Sequence, residues 1–326
     1  MTARTLIGDL GGTNLRLALT DGTALEAEAR FLTAEHDGLE AALDAYLNGL
    51  PPTHRPTGAI LAVAGPVSGD LFTLTNCPWS FSRQAVAGRY GWSRFDLLND
   101  FSAVASGLPY LDGPDLELVK DGTARPDAPK LVLGPGTGLG VGVAVPSEDR
   151  WTVLDGEGGH VSLPVCDAEE ADLMRRLKHG TVPVSAEEVL SGSGLAALFN
   201  AIAERDRGAE CDGVAERAEA GADVMARLTG DACPVAREVL DRFSVFLGAV
   251  AANAALTVGA RGGVYLTGGV LGHAGDAFRQ DLFRDRFIAN ARMADYLAAI
   301  PVYRIRHPEP GLFGLRMLAR GVSRTQ

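Results

Sequence analysis

Two stretches of this chain are built alike. Thr5-Leu-Ile-Gly-Asp-Leu-Gly-Gly-Thr-Asn-Leu-Arg-Leu-Ala-Leu-Thr20 and Lys130-Leu-Val-Leu-Gly-Pro-Gly-Thr-Gly-Leu-Gly-Val-Gly-Val-Ala-Val145 each run from apolar residues through a glycine turn with one Thr into apolar residues again. In the first, Leu15, Leu17 and Leu19 alternate with Arg16 and Ala18, the period of a strand. Each stretch therefore reads as two strands joined by a glycine turn. Dinucleotide and Walker loops both open a helix and have other glycine spacings, so neither is present. A strand–turn–strand unit repeated in two halves predicts two related α/β halves facing one cleft.

Other signals fit that frame. The length of 326 residues favours two domains of about 100–200 residues each. Net charge is −11, which argues against nucleic acid or an anionic membrane as the main partner. It does not oppose a nucleotide, because backbone amides bind phosphate whatever the global sign. Cys77, Cys166, Cys211 and Cys233 have neither C-x-x-C nor zinc-ligand spacing and read as free, buried thiols of a reducing compartment. Leu6-Ile7 meets Asp9 too soon for a secretory h-region, and Phe243 to Ala260 is short for a membrane span and reads as a buried helix. The expected location is the cytoplasm.

Several residues carry candidate chemistry. Asp100 follows an apolar strand (Phe95, Leu97, Leu98) and precedes a helical run from Phe101 to Leu108. A carboxylate there stands on a rigid element at a strand's end and suits a general base, while the same position suits a helix N-cap. The turn Gly8-Asp-Leu-Gly-Gly-Thr13 offers N–H groups, the Thr13 hydroxyl and the Asp9 carboxylate to a metal-nucleotide, or is a plain hairpin. Gly134, Gly136, Gly138 and Gly140 exceed what a turn needs and favour phosphate contact beside Thr137. Glu157 and His160 share a glycine loop; as a zinc pair they lack a Cys set, whereas both can exchange hydrogen bonds with sugar hydroxyls. Glu187 and Glu188 are expected in a first helical turn after a Ser185 cap, with Glu188 complementing the helix dipole. Gly268-Gly269 ends a predicted strand and is expected to lie against a nucleotide. Pro109 to Lys130, rich in Pro, Gly and Asp, is expected to be a linker, and Phe278 to Leu297 a helix.

Assembled, these motifs resemble the bacterial glucokinases of the non-ROK type, in the actin-like ATPase and sugar-kinase superfamily. The matching stretches span nearly the whole chain: Gly8-Asp-Leu-Gly-Gly-Thr-Asn14, Leu98-Asn-Asp-Phe101, Gly134-Pro-Gly-Thr-Gly-Leu-Gly140, Gly156-Glu-Gly-Gly-His160, Ser185-Ala-Glu187, Leu190-Ser-Gly192 and Leu266-Thr-Gly-Gly-Val270. The related ROK pattern has a zinc-binding cysteine cluster after the Glu-Gly-Gly-His loop, where only Cys166 stands here, and Ser193 replaces a Pro of many relatives.

The resemblance implies a ribonuclease H-like fold with a small α/β domain (residues 1–110 plus 301–326) and a larger α/β domain (111–300), closing on sugar. It implies ATP-dependent phosphorylation of glucose at the 6-hydroxyl, the first step of glycolysis, with Asp100 as base. Asn99, Asp100, Glu157, His160 and Glu187 would bind the sugar. Gly8, Asp9, Leu10, Gly11, Gly12, Thr13, Gly136, Thr137 and Gly138 would hold phosphates and Gly268-Gly269 the adenosine, with Asp9 reaching Mg2+ through water. It further implies a homodimer. The rival readings are a kinase for mannose, fructose or glucosamine, a non-catalytic sugar sensor, and an ATPase indifferent to sugar. A sugar-responsive regulator would carry an added helix-turn-helix, for which no room is expected before Leu6 or after Arg320.

Overall fold

The structure, a computed structural model, describes residues 4–74, 77–148, 150–178, 183–206, 218–228 and 233–322. Its chain forms two compact units, Met1–Asp112 with Asp149–Asp155 and His307–Gln326, and Gly113–Glu148 with Gly156–Arg306.

The first unit opens with β1 (Thr5–Leu10), β2 (Asn14–Thr20) and β3 (Leu25–Leu32), then α1 (Leu39–Asn48) and β4 (Gly58–Val63). A small hairpin of β5 (Leu71–Thr73) and β6 (Ser80–Ser82) leads to α2 (Arg83–Tyr90), β7 (Phe95–Asn99) and α3 (Asp100–Gly107). The main sheet runs β3-β2-β1-β4-β7, antiparallel from β3 to β1 and parallel from β1 to β7. Strand alternation sorts its two faces. Leu6, Leu10, Leu15, Leu17, Leu19, Leu61 and Val63 share one core with α1, while Ile7, Ala18, Ile60 and Ala62 pack on the other face with Ala103 of α3.

The second unit begins with β8 (Leu116–Lys120), β9 (Lys130–Pro135) and β10 (Leu139–Ser147). The chain then returns to the first unit for β11 (Arg150–Leu154), where Ser102 Oγ of α3 donates to Asp155 Oδ1 at 2.6 Å. The second unit continues through α4 (Ala168–Lys178), α5 (Gly192–Arg205), α6 (Gly221–Ala226), α7 (Pro234–Val258), β12 (Val264–Leu266), α8 (Gly269–Ala274), α9 (Gln280–Ile288), α10 (Ala294–Ala298) and β13 (Val302–Ile305). Its sheet runs β10-β9-β12-β13-β8, with β9, β12 and β13 parallel. The order β10-β9-β12-β13 repeats β2-β1-β4-β7 of the first unit, an antiparallel hairpin followed by two parallel strands. This is the internal repeat the two glycine stretches predict. α7 is long and apolar enough to cross a membrane by length and composition, yet it lies in the core of the second unit with Phe243, Phe246 and Leu247 fully buried. α11 (Pro310–Val322) closes the first unit, with Leu312 and Leu315 against Ile7 and Ile60.

Four local expectations differ from the structure. The proposed linker contains β8, whose Lys120 is buried and donates to the carbonyls of Asp121, Ala298 and Ile300 at 2.7, 2.8 and 2.7 Å. Its turn composition hid a strand that is held by tertiary pairing with β13. The stretch 278–297 is broken, because Asn290 Oδ1 accepts from the Arg292 and Met293 N–H groups and ends α9. Of the cysteines, Cys166 is exposed and Cys77 and Cys233 are half-buried, while Cys211 lies outside the described residues. Strand 302–305 belongs to the sheet of the second unit, and the chain rejoins the first only at His307.

Candidate active site

In the first unit, the end of β7 decides what Asp100 does. The N-cap of α3 is Asn99, whose Oδ1 accepts from Phe101 N–H at 2.8 Å while its Nδ2 donates to Gly65 O at 3.3 Å. Asp100 is the first helical residue, and its Oδ1 accepts from Phe101 N–H at 2.9 Å. The capping role therefore falls on Asn99. Asp100 is left at the carboxyl end of a parallel strand, on a helix fixed by close packing: Gly314 of α11 lies so near Ala103 O that a Cβ there would overlap it.

The β1–β2 turn stands at the same end of the sheet. Gly11 N–H closes it on Asn14 O at 2.9 Å, and Thr33 braces it by donating from N–H to Thr13 O and from Oγ1 to Gly12 O. Thr13 is exposed at the tip. Gly8 has no room for a side chain between Leu17 and Leu61. Asp9 is paired across the hairpin with Arg16, which also donates to Glu309 Oε1 at 3.0 Å, and Arg30 reaches the same oxygen at 2.7 Å. Burial pushes the Asp9 carboxyl above the usual carboxylate range; Arg16 pulls it back, and Glu309 pushes it up. The sequence reading missed Arg16 and Glu309. The hairpin register could have revealed Arg16, which is as far beyond the turn as Asp9 is before it, but no sequence signal points to Glu309.

The second unit gathers the remaining candidates. The turn 136–138 closes with Gly136 N–H on Gly138 O at 2.8 Å and leaves Thr137 exposed. Glu157 caps a single 3-10 turn that His160 ends, both exposed, with His160 N–H on Glu157 O. Glu187 is not in a first helical turn as expected. Its stretch gives its N–H groups to other loops: Ala186 to Val161 O, Glu187 to Gly159 O and Gly192 to Gly136 O. The helix α5 starts only at Gly192, capped by Ser191, whose hydroxyl also lies 3.1 Å from that of Ser193. Glu188, expected to serve the dipole, instead accepts from Ser185 N–H and Oγ. Glu187 Oε2 accepts from Leu139 N–H at 2.9 Å, and its Oε1 lies 4.0 Å from His160 Nδ1. Gly268, at φ +99°, packs against Pro135 O where no side chain fits, and Gly269 opens α8.

Among the described residues no three His, Cys, Asp or Glu side chains are grouped to hold a metal ion. Asp9 stands beside a glycine turn, near the charges of Arg16 and Glu309. That suits a hydrated Mg2+ carried on nucleotide phosphates, which takes one or two protein carboxylates, and does not suit a protein cage.

The glucokinase family model matches residues 6–322. The chain belongs to the glucokinase family. A glucokinase of Ralstonia nicotianae is 41% identical over 318 residues, covering 95% of this chain and 93% of that one. A glucokinase structure from an Antarctic psychrotroph superposes with a TM-score of 0.87 at 30% identity, over 98% of this chain and 100% of the other. A ROK family glucokinase from Streptomyces griseus, solved with glucose and AMPPNP, shares the fold at 19% identity and TM-score 0.63, over 98% of this chain and 100% of that one. The architecture is thus the actin-like ATPase fold of glucokinases and ROK sugar kinases, and the chain is a hexose kinase, a transferase.

Proposed function

We propose that this glucokinase transfers the γ-phosphoryl group of Mg-ATP to the 6-hydroxyl of D-glucose, with Asp100 as general base. The carrying observation is the end of β7, where Asn99 is the N-cap of α3 and Asp100 follows it as the first helical residue at the carboxyl end of a parallel strand. The sugar 6-oxygen attacks the γ-phosphorus as its proton passes to an Asp100 oxygen; the bond to the β–γ bridging oxygen breaks, and ADP departs. Asn99 keeps its amide near the sugar, and Glu157, His160 and Glu187 accept from or donate to the ring hydroxyls. These polar groups at fixed positions would reject epimers that leave a partner unpaired.

The turns at Gly8–Thr13 and Gly136–Gly138, including Leu10, Gly11 and Gly12, receive the phosphates. Thr13 and Thr137, exposed at the tips, are suited to donate hydroxyls. Gly268 and Gly269 pass beside the adenosine. Mg2+, when bound, would neutralise phosphate charge, and Asp9 would hold it through water. The two compact units are read as the small and large domains of the family, the enzyme as a cytoplasmic homodimer, and the reaction as the entry to glycolysis. Glucose and AMPPNP bound to the Streptomyces griseus protein support the choice of substrates.

The test is ADP release with Mg-ATP, with and without glucose, against mannose, fructose and glucosamine. Glucose-dependent turnover with the highest kcat/KM for glucose is expected. Turnover indifferent to sugar, or greater efficiency on another hexose, overturns the assignment; gel filtration with light scattering reads the dimer.

A further inference from the structure

Within the second unit, the loop assigned to sugar and the turn assigned to phosphate are one hydrogen-bonded block. Leu139 N–H, at the exit of the glycine turn, donates to Glu187 Oε2 at 2.9 Å. Gly192 N–H donates to Gly136 O at 2.8 Å, and Glu187 N–H donates to Gly159 O at 2.9 Å. Glycines set the approach. A Cβ on Gly138 would overlap the Glu187 carboxylate at Oε2, and a Cβ on Gly159 would overlap Leu139 O. The other carboxylate oxygen, Oε1, is turned to His160, 4.0 Å from Nδ1. One carboxylate thus accepts from the exit of the phosphate turn through one oxygen and faces His160 of the sugar loop with the other.

We propose that Gly138 is a positioning residue for glucose. Its bare Cα and the neighbouring Leu139 N–H fix the Glu187 carboxylate, so that sugar and nucleotide affinities are coupled through this single group. The inference rests on Glu187 being a sugar ligand and on the 136–138 turn receiving phosphate. Phosphate drawing on the turn shifts Leu139 and with it the carboxylate, and by linkage a glucose that orders the carboxylate also orders the turn.

The experiment is a set of calorimetric titrations of the full-length enzyme with glucose and with AMPPNP plus Mg2+, each alone and with the other ligand saturating. Gly138→Ala is expected to raise the glucose Kd about tenfold with no nucleotide present, although the residue belongs to the phosphate turn. Glu187→Ala is expected to weaken glucose as well. In the Gly138→Ala/Glu187→Ala double variant the glycine substitution adds nothing further to the loss, because the group it displaces is gone.

Additive losses in the double variant, or an unchanged glucose Kd in Gly138→Ala beside a weakened Glu187→Ala, overturn the coupling. Glucose affinity unchanged in Glu187→Ala overturns the sugar-site reading instead. Should Gly138→Ala fail to fold, Glu187→Gln carries the test. It keeps the side chain's shape while weakening the charge-assisted bond to Leu139 N–H, and is expected to raise the AMPPNP Kd severalfold without glucose. An unchanged AMPPNP Kd there overturns the proposal.

Discussion

Single side chains set the chemistry, and two carboxylates show how differently they are held. Asp100 stands at a strand end with capping left to Asn99. Asp100→Asn keeps size and hydrogen bonding but cannot take the proton. Its kcat is expected to fall by about 10²–10⁴, with glucose affinity nearly retained. Near-native turnover in steady-state assays would remove Asp100 from the base role. Asp9 is held in a costly place, since burial lifts its carboxyl above its ordinary range despite Arg16. A carboxyl with a raised native pKa binds more protons folded than unfolded. Its contribution to stability therefore declines as pH rises from its unfolded value of 3.8 toward the raised native value, and the cost is complete only above that native value. Asp9→Asn is accordingly expected to raise the Tm at pH 7 without ligand, and to lower turnover with Mg-ATP. The Tm gain should vanish in melts near pH 3; a lower Tm for the variant at pH 7 would show that pairing with Arg16 outweighs burial.

Elements act by fixing these side chains. α3 carries Asp100 and is seated on α11 through two glycines: Gly314 against Ala103 O, and Gly107 against Gly314 and the Phe313 ring. No flexible neighbour can yield at Gly314, because the obstructing atom is backbone. Gly314→Ala is expected to cost about 1–3 kcal/mol by overpacking, read by urea denaturation. It should also lower kcat more than it raises the glucose KM, since it displaces α3 and with it Asp100, the proposed base. A stability and kcat equal to wild type would mean that α11 shifts without disturbing α3. The hairpin elements were legible in advance, since β1–β2 and β9–β10 follow from alternation around glycine turns. β8 and the loop that carries Glu187 were not, because their backbone donors and acceptors are satisfied by distant segments and their composition is that of turns.

At the scale of the molecule, the first unit is completed by its last helix. α11 covers Ile7, Ala18, Ile60 and Ala62 with Leu312, Leu315 and Ala319. Each large apolar side chain buried there contributes about 1.5–3 kcal/mol, against a total of about 5–15 kcal/mol for a typical domain. A chain ending at His307 is therefore expected to lose the cooperative melt of the first unit and to partition into the insoluble fraction. A soluble truncated protein that melts at the wild-type temperature would make α11 an appendage. Deletion also removes Glu309, the shared acceptor of Arg16 and Arg30.

The sequence by itself determined the repeated hairpins, the strand end that presents Asn99-Asp100 and the order of the glycine motifs. Those signals are local: strand period, glycine where a turn must close, and the boundary between strand and helix patterns. Tertiary structure alone decided that Asn99 and not Asp100 caps α3, that Glu187 holds Leu139 N–H, and that Glu309 meets Arg16 from 293 positions away in the chain. Such pairings depend on which backbones packing brings within hydrogen-bond distance, and neither periodicity nor composition encodes that proximity.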